Sequence, residues 1–265
     1  MMRYILIILF LFNIIQVFGQ DNFIDLGTDT IYYDADFEYV VAFETESSME
    51  SFVFYRSALQ AYKENDLLSA KAMIFKAIKL NREEVKFKML QAWIASKDGS
   101  YKKAIKISKK VIEENPNDKE AHYCKALNHF LLGEYLSANI EFSYLIELND
   151  SDFQAYYGRA ETRLKLDDLQ GAVNDYTKAL AAKRTMTEAY KGRGIAYSKM
   201  YDFKNAIKDF NQALTSKPND GELYYYRGVC YLRTSDYTNA CMNFEEALKL
   251  NYRLAADYYN KNCKF

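Results

Sequence analysis

The residues of this chain that chemistry could use are two histidines, four cysteines and a recurring row of arginines. His122 and His129 are seven residues apart, which on one helix sets them about 10 Å apart along the axis, too far to share a metal ion. Cys124, Cys230, Cys241 and Cys263 show none of the close pairs that hold a metal. No glycine-rich phosphate loop, nucleophile motif or paired carboxylates beyond solvated helix faces stand out. Neither catalysis nor a metal nor a cofactor is expected.

The arginines obey a rule. Arg159, Arg193 and Arg227 recur at a constant interval, with Lys125 one step earlier, inside phrases such as "AYYGRAETR", "AYKGRGIAY" and "LYYYRGVCY". Sixteen residues after each cation stands Glu141, Asp175, Asp209 or Asn243. Two steps earlier in the chain hold Ser57 and Gln91 in place of the cation, and Met73 and Ile107 in place of its partner. The two places change together. A partly buried guanidinium needs a carboxylate or amide, and without the cation the facing place can be apolar. Arg159 with Asp175 and Arg193 with Asp209 are therefore expected as structural ion pairs; a ligand-binding arginine ladder is the alternative.

The elements that must position these residues repeat every 34 positions, giving units 51–84, 85–118, 119–152, 153–186, 187–220 and 221–254 without insertion or deletion. The eighth place of each unit is small (Ala58, Ala92, Ala126, Ala160, Gly194, Gly228), and the twentieth is always alanine, from Ala70 to Ala240. Small residues recur where two helices approach closely. Within a unit the apolar places have the spacing of two amphipathic helices, broken by turn formers such as Gly99, Gly133, Asp167 and Ser235. Both prolines, Pro116 and Pro218, fall at the same place near a unit's end, and only ten glycines punctuate the chain, which suits helices better than a β-sandwich.

This pattern resembles the tetratricopeptide repeat, a 34-residue helix-turn-helix unit. The fifth unit is nearest to it, with Tyr190, Gly194, Tyr197, Ala206, Phe210, Ala213 and Pro218 on the motif; the first two depart most, with Ala61, Ala95 and Lys88 at aromatic places. The resemblance implies an all-α, right-handed α-solenoid of six units, with residues 255–265 as a C-terminal cap of the stack. It also implies a non-enzymatic interaction scaffold holding a protein or peptide partner in a concave groove. The lining places correspond to Tyr55, Met89, Tyr123, Tyr157, Lys191 and Tyr225, then to a row including Leu59, Trp93 and Glu161. A third row reads Lys63, Lys97, Leu131, Lys165, Lys199 and Arg233. The groove is expected to be aromatic with a basic edge; alternatively, the tyrosines pack between units and the lysines are a solvated face.

A peptide bearing acidic and apolar residues would suit such a surface. The other candidate ligand is an acidic glycan or peptidoglycan fragment. The family's clamp for a chaperone tail needs Lys and Asn where Tyr55, Leu59 and Cys124 stand, which argues against a chaperone adaptor. Within the cap, Cys263 is the expected disulfide partner of Cys241, whose helix should touch the capping helix.

The first nineteen residues, "MMRYILIILFLFNIIQVFG", carry one arginine, an apolar run and small residues before Gln20. This is the layout of a signal peptide cut after Gly19, leaving an exported, periplasmic or secreted protein with no stable membrane span. That start, the repeat style and the cysteine-ending tail are similar to exported repeat proteins of Bacteroidetes-type bacteria. Residues 20–50 hold nine acids and no base, whereas 51–265 hold 34 bases and 27 acids, a net of +7. Interleaved acids and the export signal argue against nucleic acid. The acidic, aromatic stretch 29–46 reads either as an intramolecular plug for the groove or as a linker with at most a short strand pair.

Overall fold

The structure is a computed structural model describing residues 23–25, 30–32 and 46–263. Two strands, β1 (Phe23–Asp25) and β2 (Thr30–Tyr32), pair antiparallel with Ile24 opposite Ile31. All else described is helix and turn. The expected signal peptide lies outside the described residues, as does the expected plug except for Thr30–Tyr32 and Glu46.

The described residues contain thirteen helices. The first helices of the units are α1 (Glu46–Lys63), α3 (Val85–Lys97), α5 (Lys119–Leu131), α7 (Phe153–Lys165), α9 (Thr187–Lys199) and α11 (Gly221–Arg233). The second helices are α2 (Leu67–Leu80), α4 (Tyr101–Glu114), α6 (Tyr135–Leu148), α8 (Leu169–Ala182), α10 (Phe203–Ser216) and α12 (Tyr237–Lys249), and the last is α13 (Ala255–Asn262). One boundary differs from expectation: α1 begins at Glu46, so the acidic segment read as 20–50 runs into a helix that is 18 residues long where its counterparts have 13. No helix among the described residues is long and apolar enough to cross a membrane.

Each helical pair is closed by the same device. In the turn between a unit's two helices the residue with left-handed backbone is Asn65, Gly99, Gly133, Asp167, Tyr201 or Ser235, with φ between 60° and 78°, and Asn251, in the turn after α12, is a seventh at 62°. The aspartates next to four of them, Asp66, Asp168, Asp202 and Asp236, accept a hydrogen bond from a backbone N–H in the next helix's first turn, satisfying a donor that has no intrahelical partner. Asp118, Asp152 and Asp220 do the same at the first helices.

The chain forms two compact units that divide after Phe87. In the N-terminal one α1 packs on α2, Ala58, Ala70, Ile74 and Ala77 are buried, and the rings of Phe52 and Tyr55 lie 5.0 and 5.1 Å from that of Phe87. In the C-terminal one each helix from α4 to α13 packs on the next, and α5, α7, α9 and α11 also touch in succession, forming a layer of first helices. Every twentieth-place alanine is fully buried. A Cβ at Gly194 or Gly228 would fall 2.8 Å from the ring of Phe210 or Phe244, so the bulky second-helix residue and the glycine opposite it are one packing decision.

Candidate functional site

The recurring arginines are fastened in three directions. Arg159 donates through Nε and Nη2 to the two oxygens of Asp175, each at 2.8 Å, and Arg193 does the same to Asp209. Nη1 reaches back to the preceding unit, to Ser143 Oγ from Arg159 at 3.1 Å and to Thr177 Oγ1 from Arg193 at 3.0 Å. The guanidiniums also lie over the rings of Tyr156 and Tyr190, both at 5.7 Å. The carboxylates are the buried partners, with side-chain exposures of 4% for Asp175 and 5% for Asp209. With every nitrogen of the fork engaged inside the protein, each cation joins two helices of its own unit to the unit before.

The sixth unit keeps the geometry and loses the charge. Arg227 Nε donates to the amide oxygen of Asn243 at 2.8 Å, and Nη1 to Asn211 Oδ1 at 2.6 Å. The electrostatics depend on the partner. The hydrogen bond that Arg159 donates to Asp175 raises the Arg159 pKa; at Arg193 burial opposes the charge but the bond to Asp209 and its charge outweigh it; at Arg227, with no carboxylate, burial lowers it.

Other contacts have no counterpart in the repeating pattern of the sequence. Arg163, one turn after Arg159, also donates to Asp175, at 2.7 Å. In the third unit Glu141 takes the Lys125 of the repeating pattern at 2.6 Å and, outside that pattern, the Nδ1 side of His122 at 2.7 Å, while His122 Nε2 faces the Pro116 carbonyl at 2.9 Å. His122 is thereby a structural tie between two helices and the turn preceding them. Nothing brings His129 to it: His129 Nδ1 meets Glu134 at 2.6 Å. No group of three His, Cys, Asp or Glu that could hold a metal occurs among the described residues.

The residues expected to face a partner lie on the first helices of the units. Tyr123 meets Phe142 edge to face at 5.9 Å, Tyr157 lies 6.1 Å from Tyr176, and Tyr225 sits in a ring cluster with Tyr226, Tyr252 and Tyr258 at 5.3 to 5.4 Å. These tyrosines pack between helices yet remain partly exposed. Met89 and Leu59 are buried and leave the lining. The layer is not simply aromatic with a basic edge, because acids alternate with it. Trp93 Nε1 donates to Glu120 at 2.7 Å, Lys191 Nζ to Glu222 at 2.8 Å, and Lys199 Nζ to Asp167 at 3.3 Å. Lys97, Lys165, Lys199 and Arg233 are exposed at or near the ends of their helices. Lys63 is exposed too and belongs to the N-terminal compact unit.

Cys241 of α12 is bonded to Cys263, just beyond the end of α13, with their Cα atoms 5.5 Å apart. Ala255 and Tyr258 of α13 pack against Phe244 and Ala247 of α12. Cys124 and Cys230 are buried free thiols, and burial pushes the Cys124 thiol up to about 12 and raises that of Cys230, which disfavours the thiolate at both.

Two tetratricopeptide repeat family models match the chain, one over residues 191–258 and the other over 85–118 and 153–186. Among curated proteins none matches. Solved structures are similar over most of the chain. MamA from Desulfovibrio magneticus RS-1 is 22% identical with a TM-score of 0.61, covering 64% of this chain and 97% of its own. YrrB, described as a tetratricopeptide repeat protein with an unusual peptide-binding site, is 18% identical with a TM-score of 0.61, covering 71% and 97%. A tetratricopeptide repeat protein from Parabacteroides merdae is 18% identical with a TM-score of 0.60, covering 86% and 88%. At these identities the likeness is one of fold.

Proposed function

Since the chain belongs to the tetratricopeptide repeat family, we propose that it is a non-enzymatic scaffold that binds a peptide or protein segment along its first-helix layer in an exported compartment. The observation that carries this is the contiguous layer of α5, α7, α9 and α11, which presents partly exposed tyrosines beside fixed charges. Rigid rings supply contact area at low entropic cost, and fixed charges orient a partner. The peptide-binding site described for YrrB supports the same reading by analogy of fold. An oxidising compartment suits the Cys241–Cys263 bond and the signal-like start of the chain. An acidic glycan fits less well, because Glu120, Glu161 and Glu222 stand among the aromatic residues and would repel it.

The test is in-cell crosslinking with mass spectrometry on the native protein and on a variant with Lys165→Glu, Lys199→Glu and Arg233→Glu. A protein crosslinked to the native chain and lost from the variant is the expected result; capture of the same proteins by both removes the basic row from the site. Fractionation and N-terminal sequencing check the compartment, with a mature chain beginning at Gln20 expected outside the cytoplasm.

A further inference from the structure

The second helices of the third, fifth and sixth units insert Phe142, Phe210 and Phe244 at the same place, while the fourth inserts Tyr176, fully buried. Its hydroxyl reaches the first-helix layer and donates to Glu161 Oε1 at 2.5 Å. Gly192 of the next unit makes the room: a Cβ there would fall 2.4 Å from the Tyr176 hydroxyl. Glu161 is likewise the exception in its own row, which holds Leu127, Ile195 and Val229 in neighbouring units. Both polar exceptions occur in one unit and touch each other.

Packing alone asks for neither, since phenylalanine fills the tyrosine's place in three other units. Tyr157, one turn before Glu161, lies against the same carboxylate; burial and then the Glu161 charge raise its pKa above the ordinary tyrosine value. The carboxylate is held by a buried donor and is still partly open to solvent. Its neighbours in the layer are satisfied otherwise, Glu120 by Trp93, Glu188 by Lys217 and Glu222 by Lys191. Among the described residues Glu161 meets no cation within ion-pair distance.

We propose that Glu161, oriented by Tyr176, is the anchor for a cationic side chain, arginine or lysine, of a peptide lying across α7 and α9. The scaffold thereby requires a basic residue in its partner. This rests on the peptide-binding reading above and adds to it, for the lysine row alone would select only acidic segments. A carboxylate that tyrosine hydroxyls hold but no cation neutralises accepts a charge-assisted hydrogen bond, and one already fixed in position loses little freedom in doing so.

The probe is a random dodecapeptide library displayed on phage, selected against the full-length oxidised protein, with labelled synthetic copies of the selected peptides for affinity. The expected result is a recurrent Arg or Lys in the selected peptides. Glu161→Gln should then weaken binding about tenfold. Replacing the peptide's basic residue by citrulline or norleucine should cost as much against the native protein and nothing further against Glu161→Gln. Tyr176→Phe, which keeps the packing of the neighbouring units, should weaken binding about threefold by freeing the carboxylate. Selected peptides without a recurrent basic residue, or bound equally by native protein and Glu161→Gln, overturn the inference and leave the peptide-binding reading standing. If the native protein selects no peptide, both fall. Should Glu161→Gln lose its helical melting transition, the citrulline comparison on native protein decides alone.

Discussion

Arg193 and Lys261 occupy the same place two units apart, and they differ in whether a second helix is packed beside them. Arg193 finds Asp209 on the second helix of its own unit and Thr177 on the unit before. Beyond Lys261 there is no second helix among the described residues, the lysine is exposed, and the Cys241–Cys263 bond fastens the last helix. Arg227 stands between them in sequence and in chemistry, its forked partner reduced to the amide of Asn243. A buried cation is stabilised where a second helix supplies a carboxylate and disfavoured by burial where the partner is neutral.

The comparison breaks most visibly at the fifth unit. Asp209→Ala leaves Arg193 half-buried without its carboxylate and should cost about 3 kcal/mol in urea unfolding; a loss well below 1 kcal/mol would reject the pairing as a fastening. Reducing the Cys241–Cys263 bond, which spans 22 residues of sequence, should destabilise the cap by about 3 kcal/mol. The melting temperature should fall in dithiothreitol for the native protein and stay unchanged by it in Cys263→Ser. Asn243→Asp gives the sixth unit the partner of the fourth and fifth and should stabilise it by about 1 kcal/mol, a gain that must vanish when Arg227 is also replaced by Met. The smallest effect tests the turn rather than the latch. Tyr201 is 80% exposed with φ of 63°, so Tyr201→Gly should stabilise by about 0.5 kcal/mol once the added freedom of the unfolded chain is subtracted.

Much of this was legible in the residues. The helix starts at Val85, Lys119, Phe153, Thr187 and Gly221 coincide with the expected unit starts, because amphipathic spacing and turn residues act over a few neighbours. The covariation of Arg159, Arg193 and Arg227 with the residue sixteen later was visible because both places recur at the same interval. Contacts that occur once were not visible. His122 with Glu141, Arg163 with Asp175, and Glu161 with Tyr176 each occur in a single unit, so no repetition marks them. The only signal for the last was a charged residue in an otherwise apolar row beside a tyrosine in a phenylalanine row.

The sequence by itself determined the period, the helix pairs, the tight alanine and glycine contacts and the charge pattern, since all depend on which residues fit a helix and which must be small where helices meet. Only the tertiary structure decided which polar groups find each other. Trp93 with Glu120 and Lys191 with Glu222 lie 27 and 31 residues apart and belong to different units. Whether such side chains meet depends on how one unit is rotated against the next, and that rotation is set by the summed packing of both helices, which no single spacing encodes.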